Sequence, residues 1–361
     1  MYIESVQLKN FRNYDSLELD LAQGTNIFYG NNAQGKTNIL EALYLCGTTK
    51  SHKGSRDKDM IQFGKDESHI RMMVKRDELS YRIDMHLKKN SPKGIALNSV
   101  VVWGGCELFG IINIVFFSPE DLNIIKNGPG ERRRFIDLEL SQLDKVYLNN
   151  LSNYNRIVNQ RNHLLKEIDY NKGALETLDI WDIQLIQYGN KIIERRQKFI
   201  EKINKIISNI HKKLTGNRED IKIVYEPSNG ALSFEQALLK NKEKDLRIKS
   251  TSVGPHRDDI AFLVSDIDIR KYGSQGQQRT AALSLKLSEI ELVKQSIHDT
   301  PVLLLDDVLS ELDKHRQNYL LDSIHDIQTL ITCTGVDEFV NHRFSINKVF
   351  HVQNGQVTKE N

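Results

Sequence analysis

The sequence is poor in cysteine and carries no strong excess of charge of either sign. Its 361 residues include three cysteines, Cys46, Cys106 and Cys333, which lack the Cys-x-x-Cys spacing of a zinc site or redox pair. We therefore assign them to packing. Basic and acidic residues number 50 and 48, a formal net charge of +2, so the overall charge does not indicate a nucleic-acid binder. Any contact with nucleic acid has to come from a local basic patch.

Long apolar segments are also missing. The apolar runs at residues 111–117 and 302–305 fall far short of the roughly 18–20 residues that a membrane span needs. Glu4, Lys9 and Arg12 interrupt the region where a signal peptide would need a continuous apolar segment. These absences predict a protein that does not span a membrane, and the cytoplasm is its expected location.

Proline is absent between Gly130 and Glu226. In this stretch the apolar spacing changes from two to alternating threes and fours, which indicates helices. Two apolar stripes, at residues 147–168 and 181–210, predict two antiparallel helices of about 30 residues each, forming a short arm that reaches roughly 45 Å. The alternative is an ordinary helical subdomain packed on the core. We assign residues 136–244 to this helical insert.

Strand and helix patterns alternate on both sides of the insert. Short period-two segments lead up to Gly30, and residues 302–305 are the kind of all-apolar run found in a central parallel strand. The pattern predicts the α/β class, with a head of mixed sheets and flanking helices built from residues 1–135 and 245–361. These two halves must meet in space if the motifs below serve one site.

A glycine-rich segment between a predicted strand and an amphipathic helix fits the P-loop pattern G-x-x-x-x-G-K-[ST]. Its glycines let the backbone N–H groups face phosphate oxygens, and the helix N-terminus adds positive partial charge. Lys36 is expected to reach the β and γ phosphates of ATP, while the Thr37 hydroxyl ligates Mg²⁺. The predicted phosphate-binding residues are Gly30, Asn31, Asn32, Ala33, Gln34, Gly35, Lys36, Thr37 and Asn38.

A second motif supplies the carboxylates that such a site needs. The apolar run before Asp306 and Asp307 is typical of a Walker B strand, and Mg²⁺ is expected to bind Asp306. Asp307 points elsewhere and can position or deprotonate the attacking water. Taken alone, these residues favour a strand that runs into a turn, but the companion P-loop favours catalysis. The predicted catalytic residues are therefore Lys36, Asp306 and Asp307.

A third motif opens a later helix with Ser274, Gln275, Gly276 and Gln277. A serine hydroxyl beside a glycine-bounded helix N-terminus makes a second anion site. A polar turn that merely caps a helix is the simpler explanation of the isolated string. The segment resembles the ABC signature, which in that family contacts the γ phosphate held by the other subunit, so the resemblance implies hydrolysis in a dimer.

The chain as a whole resembles the RecF family of ABC/SMC-type ATPases. Besides the motifs above, the resemblance rests on residues 8–14, 118–121, 132–135, 254–259 and 305–313. It implies an ATP-dependent homodimer that hydrolyses ATP slowly and binds duplex DNA and single-strand to double-strand junctions at gaps. It also implies work with RecR and RecO in loading RecA, with roles in gap repair, replication and SOS induction on the nucleoid.

Two further sets of residues complete the predicted sites. We place Arg12 and Asn13 on the adenine side of the nucleotide. Local basic density predicts DNA contacts, although any single basic cluster is usually a solvated face. No base-reading motif is visible, so we expect recognition of the DNA backbone and of junction shape. The predicted DNA-binding residues are Lys53, Arg56, Arg132, Arg133 and Arg134.

Other P-loop proteins provide the alternative interpretations. An ABC ATPase subunit of another system, such as a transporter, shares all three motifs, but it usually has glutamate after the Walker B aspartate and a switch histidine. This chain has Asp307, and Thr332 or Thr334 at the switch position. An SMC protein needs coiled-coil arms hundreds of residues long, whereas the insert of this chain is only about 90 residues, so its length argues against this class. A small-molecule kinase would leave the signature without a purpose.

Overall fold

The computed structural model of the chain describes residues 1–102, 105–168, 173–335 and 346–360. They form two compact units, of which the first combines Met1–Asp121 with Lys286–Asn361 and the second is Leu122–Leu285. Residues 122–135 and 245–285, which we expected in the head segments, thus belong to the second unit.

The N-terminal segment of the first unit is rich in strands. Its elements are β1 (Tyr2–Phe11), β2 (Tyr14–Asp20), β3 (Thr25–Tyr29), α1 (Lys36–Thr48), β4 (Glu67–Arg76), β5 (Leu79–Lys88), β6 (Ser91–Leu97), β7 (Val100–Val101) and β8 (Ile114–Phe117). An antiparallel sheet has the order β2-β1-β4-β5-β6-β7. Burial alternates along β4 because successive side chains point to opposite faces, so one face of the sheet meets the core and the other meets solvent.

The second unit contains more than helices. Its elements are α2 (Leu122–Lys126), α3 (Pro129–Leu143), α4 (Lys145–Glu167), α5 (Gly173–Leu214), β9 (Ile221–Glu226), α6 (Phe234–Lys240), α7 (Lys242–Ile248), β10 (Asp259–Val264), β11 (Ile267–Asp268), α8 (Ile269–Tyr272) and α9 (Gln275–Ile297), which continues into the first unit. The strands form an antiparallel sheet in the order β11-β10-β9. The predicted helical insert over residues 136–244 is therefore not helical throughout, because β9 lies within it.

The two predicted helices of the insert correspond to α4 and α5, with 23 and 42 residues instead of about 30 each. They pack against each other, and α5 also packs against β9 and α6. These contacts match the packed subdomain, which was the alternative to a bare two-helix arm.

The C-terminal segment returns the chain to the first unit with β12 (Val302–Asp306), α10 (Lys314–Ser323), β13 (Thr329–Cys333), β14 (Ile346–Gln353) and β15 (Gln356–Glu360). The second sheet has the order β15-β14-β3-β13-β12-β8, and all its pairings are parallel except that of β15 with β14. All five residues of β12 are buried, which confirms the predicted central parallel strand. Parallel strands share one carboxyl edge, so β3, β12 and β13 end side by side.

Among the residues that the structure describes, every helix is too short or too polar to cross a lipid bilayer.

Candidate nucleotide-binding site

The predicted P-loop connects β3 to α1 with the backbone geometry that its glycines allow. Gly30 has φ 150°, and a Cβ there would lie 2.2 Å from the carbonyl oxygen of Val352. Gly35 has φ 115°, and a Cβ there would lie 2.4 Å from Nδ2 of Asn13. A side chain at either position would collide with neighbouring atoms of the first unit, and these contacts explain why both positions require glycine.

A pocket of about 280 Å³ lies against this loop. It is lined by residues 32–38 together with Lys53, Asp306, Asp307 and Thr332, all from the first unit. The predicted P-loop and the predicted Walker B carboxylates therefore face one cavity, although roughly 270 positions separate them in the sequence.

Lys36 extends back across the loop. Its Nζ donates to the carbonyl oxygens of Gly30 at 2.5 Å and Asn31 at 2.9 Å. Burial lowers the pKa of Lys36 from its ordinary value, and the nearby charge of Asp307 opposes this shift. A partly desolvated ammonium group held at the pocket is suited to bind phosphate oxygens.

Asp306, at the end of β12, is contacted by one residue of α1 and one residue of β13. The Thr37 hydroxyl donates to its Oδ1 at 2.8 Å, and the Thr332 hydroxyl donates to the same oxygen at 2.7 Å. Asp306 is only 8% exposed, so these hydrogen bonds stabilise a buried carboxylate. A carboxylate beside a hydroxyl is a hard oxygen donor set, which fits the coordination preference of Mg²⁺.

Asp307 follows in a left-handed conformation with φ 54°. Its backbone N–H donates to the side-chain Oγ1 of Thr332 at 3.1 Å, and the Ser310 hydroxyl donates to its carbonyl oxygen at 2.9 Å. Such a conformation costs about 1–2 kcal/mol for a residue with a side chain, so neighbouring bonds must maintain it. Thr332 thus orients both acidic residues, a role that sequence reasoning missed.

The turn between β14 and β15 supports the P-loop from behind. The carbonyl oxygen of Gln34 accepts hydrogen bonds from Asn13 Nδ2 at 2.9 Å and from the N–H of Gly355 at 3.2 Å. The N–H of Asn354 donates to Gln34 Oε1 at 2.7 Å, and Asn38 donates to Asn13 Oδ1 at 2.8 Å. We call this arrangement of Asn13, Asn354 and Gly355 around Gln34 the loop brace. No local sequence signal pointed to it.

Arg12 and Asn13, the predicted adenine-side residues, have different surroundings. Arg12 donates to both carboxylate oxygens of Glu41, at 2.8 and 2.9 Å, and to the Ser55 hydroxyl at 2.8 Å. Burial alone would raise the pKa of Glu41, but the hydrogen bonds from Arg12 and Ser51 lower it instead. These contacts give Arg12 and Asn13 structural roles, while an adenine contact by either stays a prediction.

The predicted signature lies in the second unit at the start of α9. The N–H of Gln277 donates to the Ser274 hydroxyl at 3.2 Å, and the N–H of Ser274 donates to Gln277 Oε1 at 3.0 Å. This reciprocal pair is a capping box. Gln275 and Gly276 are exposed, and a Cβ on Gly276 would meet nothing closer than 3.9 Å.

The five predicted DNA-binding residues differ in accessibility. Arg132 is 4% exposed and binds both oxygens of Asp259, at 2.6 and 3.0 Å, so the structure contradicts its predicted DNA contact. Arg133 is half-buried and donates to a backbone carbonyl, whereas Arg56 and Arg134 are exposed. Lys53 is exposed and lines the P-loop pocket.

Comparisons with known proteins show what this chain is similar to. The family model described as an AAA ATPase domain matches residues 1–181. DNA replication and repair protein RecF of Agathobacter rectalis is 62% identical over 357 residues, which cover 99% of each chain. The RecF protein of Clostridium perfringens is 47% identical over 362 residues, again 99% of each chain.

Solved structures give the same result. A structure of the recombination mediator protein RecF-ATP in the RecFOR pathway has a TM-score of 0.93 at 36% identity, covering 100% of this chain and 98% of that one. The Smc head domain of Pyrococcus furiosus has a TM-score of 0.58 at 16% identity, covering 99% and 96%, which shows the fold alone. The predicted ABC/SMC-type head fold is confirmed, and the chain belongs to the RecF family of DNA replication and repair proteins and carries an AAA ATPase domain.

Proposed function

We propose that this protein binds and slowly hydrolyses ATP, and that the nucleotide switches it between a monomer and a DNA-binding dimer used in repair. The convergence of Thr37 and Thr332 on Asp306, beside the P-loop lysine, carries the proposal. It supplies phosphate-binding and metal-binding groups at one pocket. The solved relative RecF-ATP supports ATP as the ligand.

The residues divide the work as follows. Lys36 exchanges its bonds to the Gly30 and Asn31 carbonyls for bonds to the β and γ phosphates. Asp306 and the Thr37 hydroxyl would hold Mg²⁺, which would supply positive charge to offset the negative charge of the phosphates during hydrolysis. Lys53 lines the same pocket, so we assign it to the nucleotide instead of DNA.

Asp307 positions the attacking water and accepts its proton. Its left-handed backbone gives its side chain a direction different from that of Asp306, while its N–H remains tied to Thr332. Asp307 lines the pocket at the P-loop, so its carboxylate would face the phosphates while Asp306 holds the metal.

The signature residues Ser274, Gln275, Gly276 and Gln277 act on the nucleotide of a second copy. A two-fold dimer pairs the P-loop of each subunit with the signature of the other, so two composite sites form together. The exposed start of α9 supports this role, because Gln275 and the small Gly276 face solvent and leave room for a phosphate to approach the helix N-terminus. ATP then joins the subunits, and hydrolysis releases them.

Exposed Arg56 and Arg134, with half-buried Arg133, provide the proposed DNA contacts. Arginine side chains that reach only phosphates recognise the backbone and the shape of a gap junction, without base preference. The RecFOR pathway named for the solved relative supports RecR and RecO as partners, and RecA loading, SOS induction and a nucleoid location in the cytoplasm follow as parts of the proposal.

The test is ATP-dependent dimerisation of the full chain, measured by sedimentation with Mg²⁺ and with either gapped DNA or intact duplex. We expect dimers with ATP, more dimers with gapped DNA, and an accumulated dimer for Asp307→Asn, since this change slows hydrolysis while keeping the metal ligand. Lys36→Ala is the control that should remain monomeric.

Two results would contradict the proposal. Normal ATP turnover by a monomer would exclude the composite site. Equal dimerisation with gapped DNA, intact duplex and no DNA would exclude the junction-sensing role, even with the ATPase assignment intact.

A further inference from the structure

Three side chains of the types that ligate metals lie together on the solvent-facing side of the antiparallel sheet, apart from the P-loop. Glu67 and His69 are two residues apart on β4, so they share a face of the strand. His86 on β5 is the direct cross-strand partner of His69. Cross-strand partners have Cβ atoms roughly 4.5–5.5 Å apart, which places the two imidazoles side by side.

The distances between these side chains suit a common ion. The two imidazole rings stack with centroids 3.9 Å apart. Nε2 of His86 lies 2.9 Å from Glu67 Oε2, and Nε2 of His69 lies 3.6 Å from Glu67 Oε1. One ligand atom from each residue lies within 4.8 Å of the other two. Tetrahedral zinc with bonds of about 2.0–2.1 Å separates its ligand atoms by roughly 3.3 Å, so small side-chain rotations close the site.

Two other carboxylates on this face are already paired. Asp84 accepts from Arg71 and from Arg82, each at 2.7 Å, and Gln7 donates to Glu18 at 2.7 Å. Asp84 and Glu18 are therefore engaged with other residues, and the histidines have Glu67 as their carboxylate neighbour.

The surface beside the histidines leaves room for a further ligand. The cross-strand partner of His86 on β6 is Gly94, which has no side chain to cover the imidazole. Both histidines line a concave region of about 620 Å³ on this face. The side chains of Glu67, His69 and His86 are 52%, 46% and 30% exposed, so an ion can enter from solvent.

We propose that Glu67, His69 and His86 bind a divalent transition metal of the zinc type through three protein ligands and one water molecule. Two imidazoles with one carboxylate suit Zn²⁺, Cu²⁺ or Ni²⁺, whereas Mg²⁺ prefers all-oxygen ligands. Lys9 and Lys88, the cross-strand partners of His69 and Glu67, add positive charge that limits the affinity. Bound metal would link β4 to β5 across the middle of the sheet.

The experiment titrates Zn²⁺ into the full chain against a chromophoric chelator. A Cys106→Ser background removes the exposed thiol as a competing ligand. Excess Mg²⁺ keeps zinc from the oxygen-rich site at Asp306. We expect one tightly bound zinc per chain, and at least about tenfold weaker binding in His69→Ala and His86→Ala, since even outer-shell partners of a metal contribute roughly tenfold.

The matched control is His163→Ala, because His163 is 70% exposed, lies 3.4 Å from the Glu167 carboxylate and belongs to no three-residue cluster of metal-ligand side chains among the described residues. This variant should bind zinc like the parent chain. Glu67→Ala removes an exposed carboxylate and leaves both imidazoles in place. If a histidine variant fails to fold, this variant still tests the zinc site, and weaker zinc binding by Glu67→Ala supports the site. Zinc binding that is undetectable, or unchanged in Glu67→Ala or in the folded histidine variants, would overturn the proposal.

Discussion

The P-loop and the signature both contain glycines, but contacts within the chain exclude a side chain at both P-loop glycines and at only one of the two signature glycines. Gly30 and Gly35 have positive φ, and a Cβ on either would overlap atoms of the same unit. In the signature, a Cβ on Gly273 would lie 2.6 Å from the carbonyl oxygen of Ile269, so this position requires glycine. A Cβ on Gly276 would have no neighbour closer than 3.9 Å.

This difference indicates which site is assembled within one chain. The P-loop has its lysine, its Walker B partner and its loop brace in contact already. The signature shows a capped helix with an exposed start, whose small residue serves no packing purpose in the described part of the chain. In the proposed dimer, the second copy would bring a phosphate to Gly276, and a side chain at this position would obstruct it.

The largest expected effect comes from the site that is complete within the chain. Lys36→Ala should lower ATP hydrolysis by about 100-fold or more, because a preorganised donor to the phosphates is lost. The fold should persist, since no apolar side chain is removed. Steady-state hydrolysis and circular dichroism measure the two effects. Lys50→Ala, which changes an exposed lysine outside the pocket, should hydrolyse ATP normally. Unchanged turnover in Lys36→Ala would contradict the P-loop assignment.

A large effect is also expected at the signature. Ser274→Arg should bind ATP through its own P-loop but fail to dimerise or hydrolyse, because a bulky cation blocks the approach of the partner's nucleotide. The substitution also removes a helix cap worth about 0.5–2 kcal/mol. Ser233→Arg is the matched control, since Ser233 forms the same capping box with Gln236 at the start of α6. It should lose similar stability and keep hydrolysis.

Mixing the first two variants sharpens the contrast. A dimer of one Lys36→Ala subunit and one Ser274→Arg subunit rebuilds one whole site and leaves the other doubly broken. Random mixing makes half of the dimers mixed, so independent sites would restore roughly a quarter of wild-type hydrolysis. Strictly coupled sites would stay inactive, so nucleotide-dependent dimerisation must be measured in parallel. Normal hydrolysis by monomeric Ser274→Arg would defeat the trans-acting interpretation.

A smaller effect is expected at the hydroxyl that joins the acidic residues. Thr332→Val keeps the side-chain shape but removes one hydrogen bond to Asp306 and the hydroxyl acceptor of the Asp307 N–H, which keeps the Thr332 carbonyl oxygen at 3.2 Å. We expect the rate of hydrolysis to fall on the order of tenfold while ATP affinity stays nearly unchanged. The free energy of unfolding should fall by about 1–3 kcal/mol. The control is Thr329→Val on the same strand, whose hydroxyl donates to the Ile327 carbonyl at 3.0 Å. Equal hydrolysis in both variants would contradict the role of Thr332.

The sequence predicted those parts of the site whose signal is local. Glycine spacing identifies the P-loop, and an all-apolar run before two acids identifies β12, because each pattern is written in consecutive residues. The strand β9 also had a local signal: Ile221 and Ile223 are buried and Lys222 between them is exposed, the period of a strand within a stretch interpreted as helical.

Long-range contacts account for what was missed. Arg132 stands in a basic triplet and looks accessible, but its carboxylate partner Asp259 is 127 residues away, and only the fold brings them together. Thr332 and the loop brace are similar cases, since Asn354 contacts Gln34 across 320 residues. No pattern in consecutive residues encodes such pairs.

The smallest predicted effect tests whether the P-loop depends on its loop brace. Gly355 has φ 73°, and a Cβ there would lie 2.6 Å from the carbonyl oxygen of Asn13. Gly355→Ala should therefore push the β14–β15 turn away from Gln34, so that the P-loop loses its hydrogen bonds from Asn354 and Gly355. The P-loop would then have to become ordered when ATP binds, which lowers the affinity. We expect ATP affinity to fall by a few-fold, because the net loss is worth about one hydrogen bond, and hydrolysis at saturating ATP to stay nearly unchanged.

Gly64→Ala separates this effect from backbone strain. Gly64 has φ 83°, and a Cβ there would have nothing within 4 Å, so alanine costs the same left-handed conformation, about 1–2 kcal/mol, without a collision. Both variants should unfold at lower denaturant concentration, and only Gly355→Ala should bind ATP more weakly. If both variants bind ATP equally, the turn merely lies beside the P-loop, and the loop holds its shape through Gly30, Gly35 and Lys36 alone.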